Sequence, residues 1–215
     1  MKLAFFDLDG TLEDSRQDMA LSVNRIRSKH KLPELAIEEA RGLVNRGMNP
    51  LVEAAFPEII KSTEDVAQLR KEYEADYLKH VVDHTILYPG IADMLRELSK
   101  KLSIVIYTNK PEAISRELLK RLDVLQYVQA IIGGDSFPES KPSPGPMRII
   151  AERLNLKEAR AVMCGDTAAD IQAARNYGAD AVWCAWGYVA HPPEPAPDLV
   201  ATRPDQIVAF VASGR

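Results

Sequence analysis

Five short apolar runs, at residues 3–8, 104–108, 130–134, 161–165 and 181–185, each end in small, polar or turn-forming residues. None is long enough for an independent helix, and from the second onward they alternate with helical patterns. Residues 91–98 place Ile91, Met94, Leu95 and Leu98 on one face; Ile114, Leu118 and Leu122 follow, then Met147, Ile150 and Leu154. A fourth face, Ile171, Ala174 and Tyr177, is closed by Gly178. Apolar strands separated by amphipathic helices predict a Rossmann-like α/β core, a parallel sheet covered on both sides.

Residues 15–84 break the alternation. They hold helical pattern only, with Met19, Val23 and Ile26 on one face and Val66, Leu69, Tyr73 and Tyr77 on another. Leu32-Pro33, Asn49-Pro50 and Phe56-Pro57 cut the stretch into several short helices. The expected organisation is therefore a core of residues 1–14 and 85–215 with an all-helical domain, 15–84, inserted after the first strand. The Pro-rich run "HPPEPAPDL" is expected to cross the surface before a short last strand and helix.

The 215 residues carry a net charge of -4 with both signs interspersed, which excludes the basic stripe of a nucleic-acid binder. No apolar run approaches a membrane span, and "MKLAFF" is too short for a signal-peptide core. Cys164 and Cys184 have no metal or redox spacing and read as buried strand residues. These features predict a cytoplasmic protein without membrane or nucleic-acid partners, monomeric or homodimeric. His30, His80, His84 and His191 share no spacing and read as surface or boundary residues.

In open parallel sheets ligands bind beyond the carboxyl ends of the strands, so the residues there carry the chemistry. The first run ends in Asp7-x-Asp9-Gly10-Thr11 and the second in Thr108, Asn109 and Lys110. The third ends in Gly133, Gly134 and Asp135, with Lys141 shortly after; the fourth ends in Gly165 and Asp166, with Asp170 one helical turn on. Each motif alone has a bland reading: a surface turn for Asp7-x-Asp9, a solvated loop lysine for Lys141, a helix cap for Asp166. Together, converging carboxylates would repel unless a cation lay among them, and oxygen ligands without clustered His or Cys favour Mg2+ over zinc. Lys141, Thr108 and nearby backbone N–H groups would make an anion site beside that ion, an arrangement suited to a phosphate group.

The four strand-end motifs resemble those of the haloacid dehalogenase (HAD) superfamily, in its phosphatase branch. That resemblance implies Asp7 as nucleophile, forming an aspartyl-phosphate, and Asp9 as general acid and then general base. It implies phosphate binding by Thr108, the N–H of Asn109 and Lys141, with Gly10 allowing close backbone approach. Mg2+ would be held by Asp7, the backbone carbonyl of Asp9, and Asp166, with Asp170 supporting its waters. The helical insert stands where the superfamily places a cap, with Asp14 at its hinge and Tyr73 and Tyr77 in its core. Arg46 and Lys110 are candidates for contact with the substrate beyond its phosphate.

Within the superfamily, "DGTLEDS", "LYPG", "YTNKP", "IIGGDSFPESKPSPGP", "CGDTAADIQAARNYGA" and "WGY" resemble phosphoglycolate phosphatases. Glu13, where those proteins commonly carry an apolar residue, and Asn45-Arg46, where a Gly-rich loop is frequent, depart from the pattern. The expectation is a small phosphorylated substrate, 2-phosphoglycolate first, with nucleoside monophosphates, pyrophosphate and sugar phosphates as alternatives. Asp9 and Asp166 argue against dehalogenation, which needs neither a second aspartate nor Mg2+. "YTNK" argues against a β-phosphoglucomutase, which usually has a serine there. A phosphonate hydrolase would need a Schiff-base lysine from Lys29, Lys31, Lys61, Lys71 or Lys79. The rival of another class, a non-catalytic binding protein on the same fold, is disfavoured because every site residue is present.

Overall fold

A computed structural model describes residues 1–44 and 47–213. The chain divides into two compact units, Met1–Asp14 with Leu87–Arg215, and Ser15–Ile86.

The first unit is built on a six-stranded sheet in the order β5-β4-β1-β6-β7-β8, with every pairing parallel. Its strands are β1 (Leu3–Phe6), β4 (Ser103–Tyr107), β5 (Ala130–Ile132), β6 (Ala161–Gly165), β7 (Asp180–Cys184) and β8 (Leu199–Ala201). All four residues of β1 are buried, as a strand covered on both faces must be. Helices α5 (Ile91–Ser99), α6 (Glu112–Arg121), α7 (Gly145–Arg153), α8 (Ala168–Tyr177) and α9 (Pro204–Ala212) complete the unit. The expected faces are the buried ones: Ile91, Met94, Leu95 and Leu98 on α5, Met147 and Ile150 on α7, Ile171 and Ala174 on α8. Gly178, at φ +89°, closes α8 in the left-handed conformation. The apolar core joins Phe5, Val105, Met147, Met163, Ile171 and Trp183 across the sheet.

The strand order positions the site. From β1 the chain builds β4 and β5 on one side, then crosses to β6 and β7 on the other. Phe6 pairs with both Ile106 and Cys164, so three adjacent strands end together at this switch point. The first run yields a strand shorter than its apolar stretch. At residue 7 the ladder gives way to a turn, in which the Leu8 carbonyl accepts from the N–H groups of Thr11, Leu12 and Glu13.

The second unit contains α1 (Arg16–Lys29), α2 (Ile37–Leu43), α3 (Met48–Ala55) and α4 (Thr63–Lys79). Met19, Val23 and Ile26 of α1 are buried, as are Val66, Leu69, Tyr73 and Tyr77 of α4. The Tyr73 and Tyr77 rings stack with centroids 6.0 Å apart. Ser62 and Asp65 form a reciprocal cap at the start of α4. This unit runs two residues past the boundary expected at 84. The buried Asp18 carboxylate explains why: it accepts from the N–H groups of His84 and Thr85, at 2.9 and 2.8 Å, and from the Thr85 hydroxyl. The chain passes from one unit to the other at two two-residue strands, β2 (Glu13–Asp14) and β3 (Ile86–Leu87), both too short to leave a sequence pattern. No described helix is long and apolar enough to cross a membrane.

Candidate active site

Asp7, Thr108 and Asp166 each come directly after the last residue of a strand, β1, β4 and β6 respectively. All three are buried. The Asp7 N–H donates to the Cys164 carbonyl, which holds the residue in line with the sheet, and its Oδ1 accepts from Leu8 N–H at 2.7 Å. Lys141 enters from the loop after β5 and bridges two carboxylates, 2.8 Å from Asp7 Oδ1 and 2.7 Å from Asp170 Oδ1. Asp170 lies in the first turn of α8, where its Oδ2 accepts from the N–H and hydroxyl of Thr167.

Asp7, Asp166 and Asp170 each bring a carboxylate oxygen within 4.8 Å of the others. Burial pushes Asp7 up to about 8; Lys141 opposes the rise, and Asp170 and Asp166 add to it. Asp166 rises to about 6, again through burial first, with the Tyr188 N–H opposing and Asp170 and Asp9 adding repulsion. For Lys141 burial acts against the charge, but Asp170 and Asp7 outweigh it and hold the ammonium above its ordinary range. Burial and mutual repulsion thus work against the ionised forms of Asp7 and Asp166, and Lys141 offsets part of that cost.

Three glycines make room for these acids. A Cβ on Gly10 or Gly187 would collide with the Asp166 carboxylate or its stem, and one on Gly165 with Asp170. Gly10 also adopts φ +76°, a conformation costly for any other residue. Hard oxygen donors, mutual repulsion and glycine-cleared space together fit a divalent cation of the Mg2+ kind.

The remaining site residues fall on the same sheet edge. The Thr108 hydroxyl accepts from Lys110 N–H at 3.2 Å, which leaves its own proton for an anion's oxygen. Asn109 is exposed next to it. Asp9 stands apart from the carboxylate cluster: its Oδ1 lies 2.6 Å from Lys110 Nζ. Lys110 is buried and turned onto Asp9, an orientation its position in the chain does not disclose. Arg46 lies outside the described residues.

Sequence reasoning left several participants unassigned. Thr11 donates its hydroxyl to Asp166 Oδ1 at 3.4 Å. Tyr188, of the "WGY" stretch, donates its N–H to Asp166 Oδ2 at 2.8 Å and its hydroxyl to Asp14 Oδ1 at 3.2 Å. Trp186 Nε1 donates to the Thr11 carbonyl, tying the same loop to the turn after β1. Glu13 is fully buried beside Lys110. The glycine in "WGY" was the available signal, because only glycine fits against Asp166 there. Cys164 and Cys184 are buried free thiols, pushed up by burial and therefore poor nucleophiles. His30, His80 and His84 pair with three different carboxylates, Glu72, Asp83 and Asp18, and so form no cluster.

The model of the haloacid dehalogenase-like hydrolase family matches residues 4–184. The chain is 33% identical to a phosphoglycolate phosphatase of Aquifex aeolicus, over 98% of this chain and 97% of that protein. It is 35% identical to one of Chromobacterium violaceum, over 87% and 86%. Among solved structures it is similar to a predicted phosphoglycolate phosphatase from Haemophilus somnus, at TM-score 0.86 and 25% identity, covering 98% of each chain.

Proposed function

Because the chain belongs to the haloacid dehalogenase-like hydrolase family, we propose that it is a Mg2+-dependent phosphatase that hydrolyses a small phosphomonoester through an aspartyl-phosphate on Asp7. The similarity over nearly the whole chain to phosphoglycolate phosphatases supports phosphatase activity and makes 2-phosphoglycolate the first substrate to test. The observation that carries the mechanism is the Asp7 carboxylate, poised at the β1 end, bridged by Lys141 to Asp170 and grouped with Asp166.

An Asp7 oxygen attacks phosphorus and the bond to the leaving alkoxide breaks. Asp9 gives that oxygen its proton as it departs. The resulting Asp9 carboxylate then takes a proton from a water that attacks the phosphoryl group. That second displacement releases inorganic phosphate and restores both aspartates. Lys141 and the Thr108 hydroxyl face the phosphoryl oxygens and offset their charge, and backbone N–H groups such as that of Asn109 add donors. Asp7, Asp166 and the Asp9 carbonyl would hold Mg2+, with Asp170 behind them; the ion supplies positive charge that keeps Asp7 ionised and neutralises the phosphoryl group.

The alternative chemistry of a Schiff-base lysine is not favoured. Lys29, Lys31, Lys61, Lys71 and Lys79 are all exposed, whereas a lysine serving as a nucleophilic amine is normally desolvated.

The test is phosphate release, with Mg2+ and with EDTA, from 2-phosphoglycolate, nucleoside monophosphates, pyrophosphate, sugar phosphates and phosphonoacetaldehyde. Mg2+-dependent preference for phosphoglycolate is the expected result. Activity surviving EDTA, or confined to the phosphonate, would overturn the proposal.

A further inference from the structure

Asp9 must reach a leaving oxygen, yet the structure shows it engaged with Lys110, 2.6 Å from Oδ1 to Nζ. The Lys110 side chain is 2% exposed, so this is a buried ion pair on the lysine side, while the Asp9 side chain is 22% exposed. A second carboxylate faces the same ammonium from within the protein: Glu13 Oε1 lies 3.6 Å from Lys110 Nζ, and its side chain is fully buried.

Both backbones are fixed. The Lys110 N–H donates to Thr108 Oγ1, and its carbonyl accepts from Gly134 N–H. The Glu13 carbonyl accepts from Gly10 N–H, and its own N–H donates to the Leu8 carbonyl. Lys110 and Glu13 therefore stay in place while Asp9, nearer water, is the partner able to turn. A position with no exposure ordinarily holds an apolar residue; a carboxylate there is held by its cation.

Removing one partner from a buried ion pair is costly because the other charge is left uncompensated. That cost would fall on every turnover if Asp9 were the sole counter-ion of Lys110. Building on the phosphatase reading above, we propose that Glu13 is a positioning residue: it is the standing counter-ion that keeps Lys110 paired when Asp9 takes a proton from solvent, gives up its own charge and swings to the leaving group. Glu13 touches no reacting atom; it acts through Lys110 on the freedom of Asp9. Loss of its charge makes Lys110 draw more strongly on Asp9 and holds that carboxylate ionised on the lysine.

The readout is leaving-group dependence. An alkyl phosphate needs a proton on its departing oxygen, whereas p-nitrophenyl phosphate, with a stabilised leaving group, does not. Values of kcat/KM report every step through departure of the leaving group, so they isolate the acid role of Asp9. Glu13→Gln, isosteric and uncharged, is expected to lower kcat/KM for 2-phosphoglycolate by roughly 10- to 100-fold, a sizeable part of a general-acid contribution. With p-nitrophenyl phosphate it should stay within about twofold, and Glu13→Asp should recover most of the alkyl-ester rate.

Equal losses on both substrates would mean a purely structural role and overturn the proposal, as would no loss on either. Asp9→Asn, measured in parallel, separates this inference from the reading beneath it. If that variant shows the leaving-group pattern and Glu13→Gln does not, only the inference fails. If wild type releases no phosphate from either ester, both fall. Should Glu13→Gln not fold, Glu13→Leu, apolar as a fully buried position ordinarily is, takes its place. It is expected to depress the ratio of alkyl to aryl rates in the same way, and a ratio at the wild-type value would refute the idea.

Discussion

The same sheet carries ion pairs at both of its edges, and they differ in kind. At the edge where the strands begin, Arg160 and Asp180 lie 2.9 Å apart with the arginine side chain 45% exposed. At the edge where they end, Lys141 makes contacts of similar length with Asp7 and Asp170, but all three side chains are at most 8% exposed. Distances alone do not distinguish the two sites; access to water does. Solvent screens the first pair, which has little to contribute beyond its own geometry. Burial raises Asp7 to about 8, while Asp170 and Asp7 hold Lys141 charged against the same burial, so the second set carries the perturbed groups expected of a functional site.

The contrast is broken most severely at Asp7. Asp7→Asn keeps the shape and removes the nucleophile, and kcat is expected to fall by at least ~10^3-fold with the thermal melt preserved. Lys141→Met comes next. It should cost roughly 10^2- to 10^3-fold in kcat/KM and, by stranding Asp7 and Asp170, about 3–5 kcal/mol of stability in denaturant titration.

Gly165→Ala probes the room rather than the charge. Its methyl would collide with Asp170, displacing the carboxylate that Lys141 grips. About 1–3 kcal/mol of destabilisation is expected, with loss of activity in the fraction that remains folded.

Two pairs that include none of the candidate site residues give smaller effects. Glu72 is held down to about 2, first by the Lys29 hydrogen bond and then by those from Gln68 and His30. Because its pKa in the fold lies below the ordinary 4.5, its stabilisation is complete above pH 4.5 and is lost as the pH falls toward 2. Glu72→Gln should therefore flatten the decline of the melting temperature across that window and leave phosphate release unchanged. Arg160→Ala should be the mildest, within about 1 kcal/mol in stability and without effect on activity.

The reactive edge was legible because apolar runs end abruptly where the chain needs polar chemistry. Asp7, Thr108 and Asp166 are each the first residue beyond a strand, so the pattern that marked the strand also marked the residue. What escaped was direction and distance. Lys110 is adjacent to the same strand end, but nothing in "YTNK" says that its ammonium turns back onto Asp9. Thr11 finds its partner 155 residues away, beyond any local rule for hydroxyls. Glu13 stood out only as a charged residue where phosphoglycolate phosphatases commonly carry an apolar one, and only the packed structure shows it sealed beside Lys110. Short-range patterning thus marked the edge of the candidate site, and long-range pairing decided which groups are bound to one another there.

The central claim is that the buried carboxylate at the β1 end carries the phosphoryl group. The direct measurement is rapid acid quench of the Mg2+-loaded enzyme with 32P-labelled phosphoglycolate, followed by peptide mapping of the protein-bound label. Label is predicted on the peptide containing Asp7, rising before steady-state phosphate release and absent from Asp7→Asn. Turnover without any protein-bound label, or label on a different residue, would contradict the account.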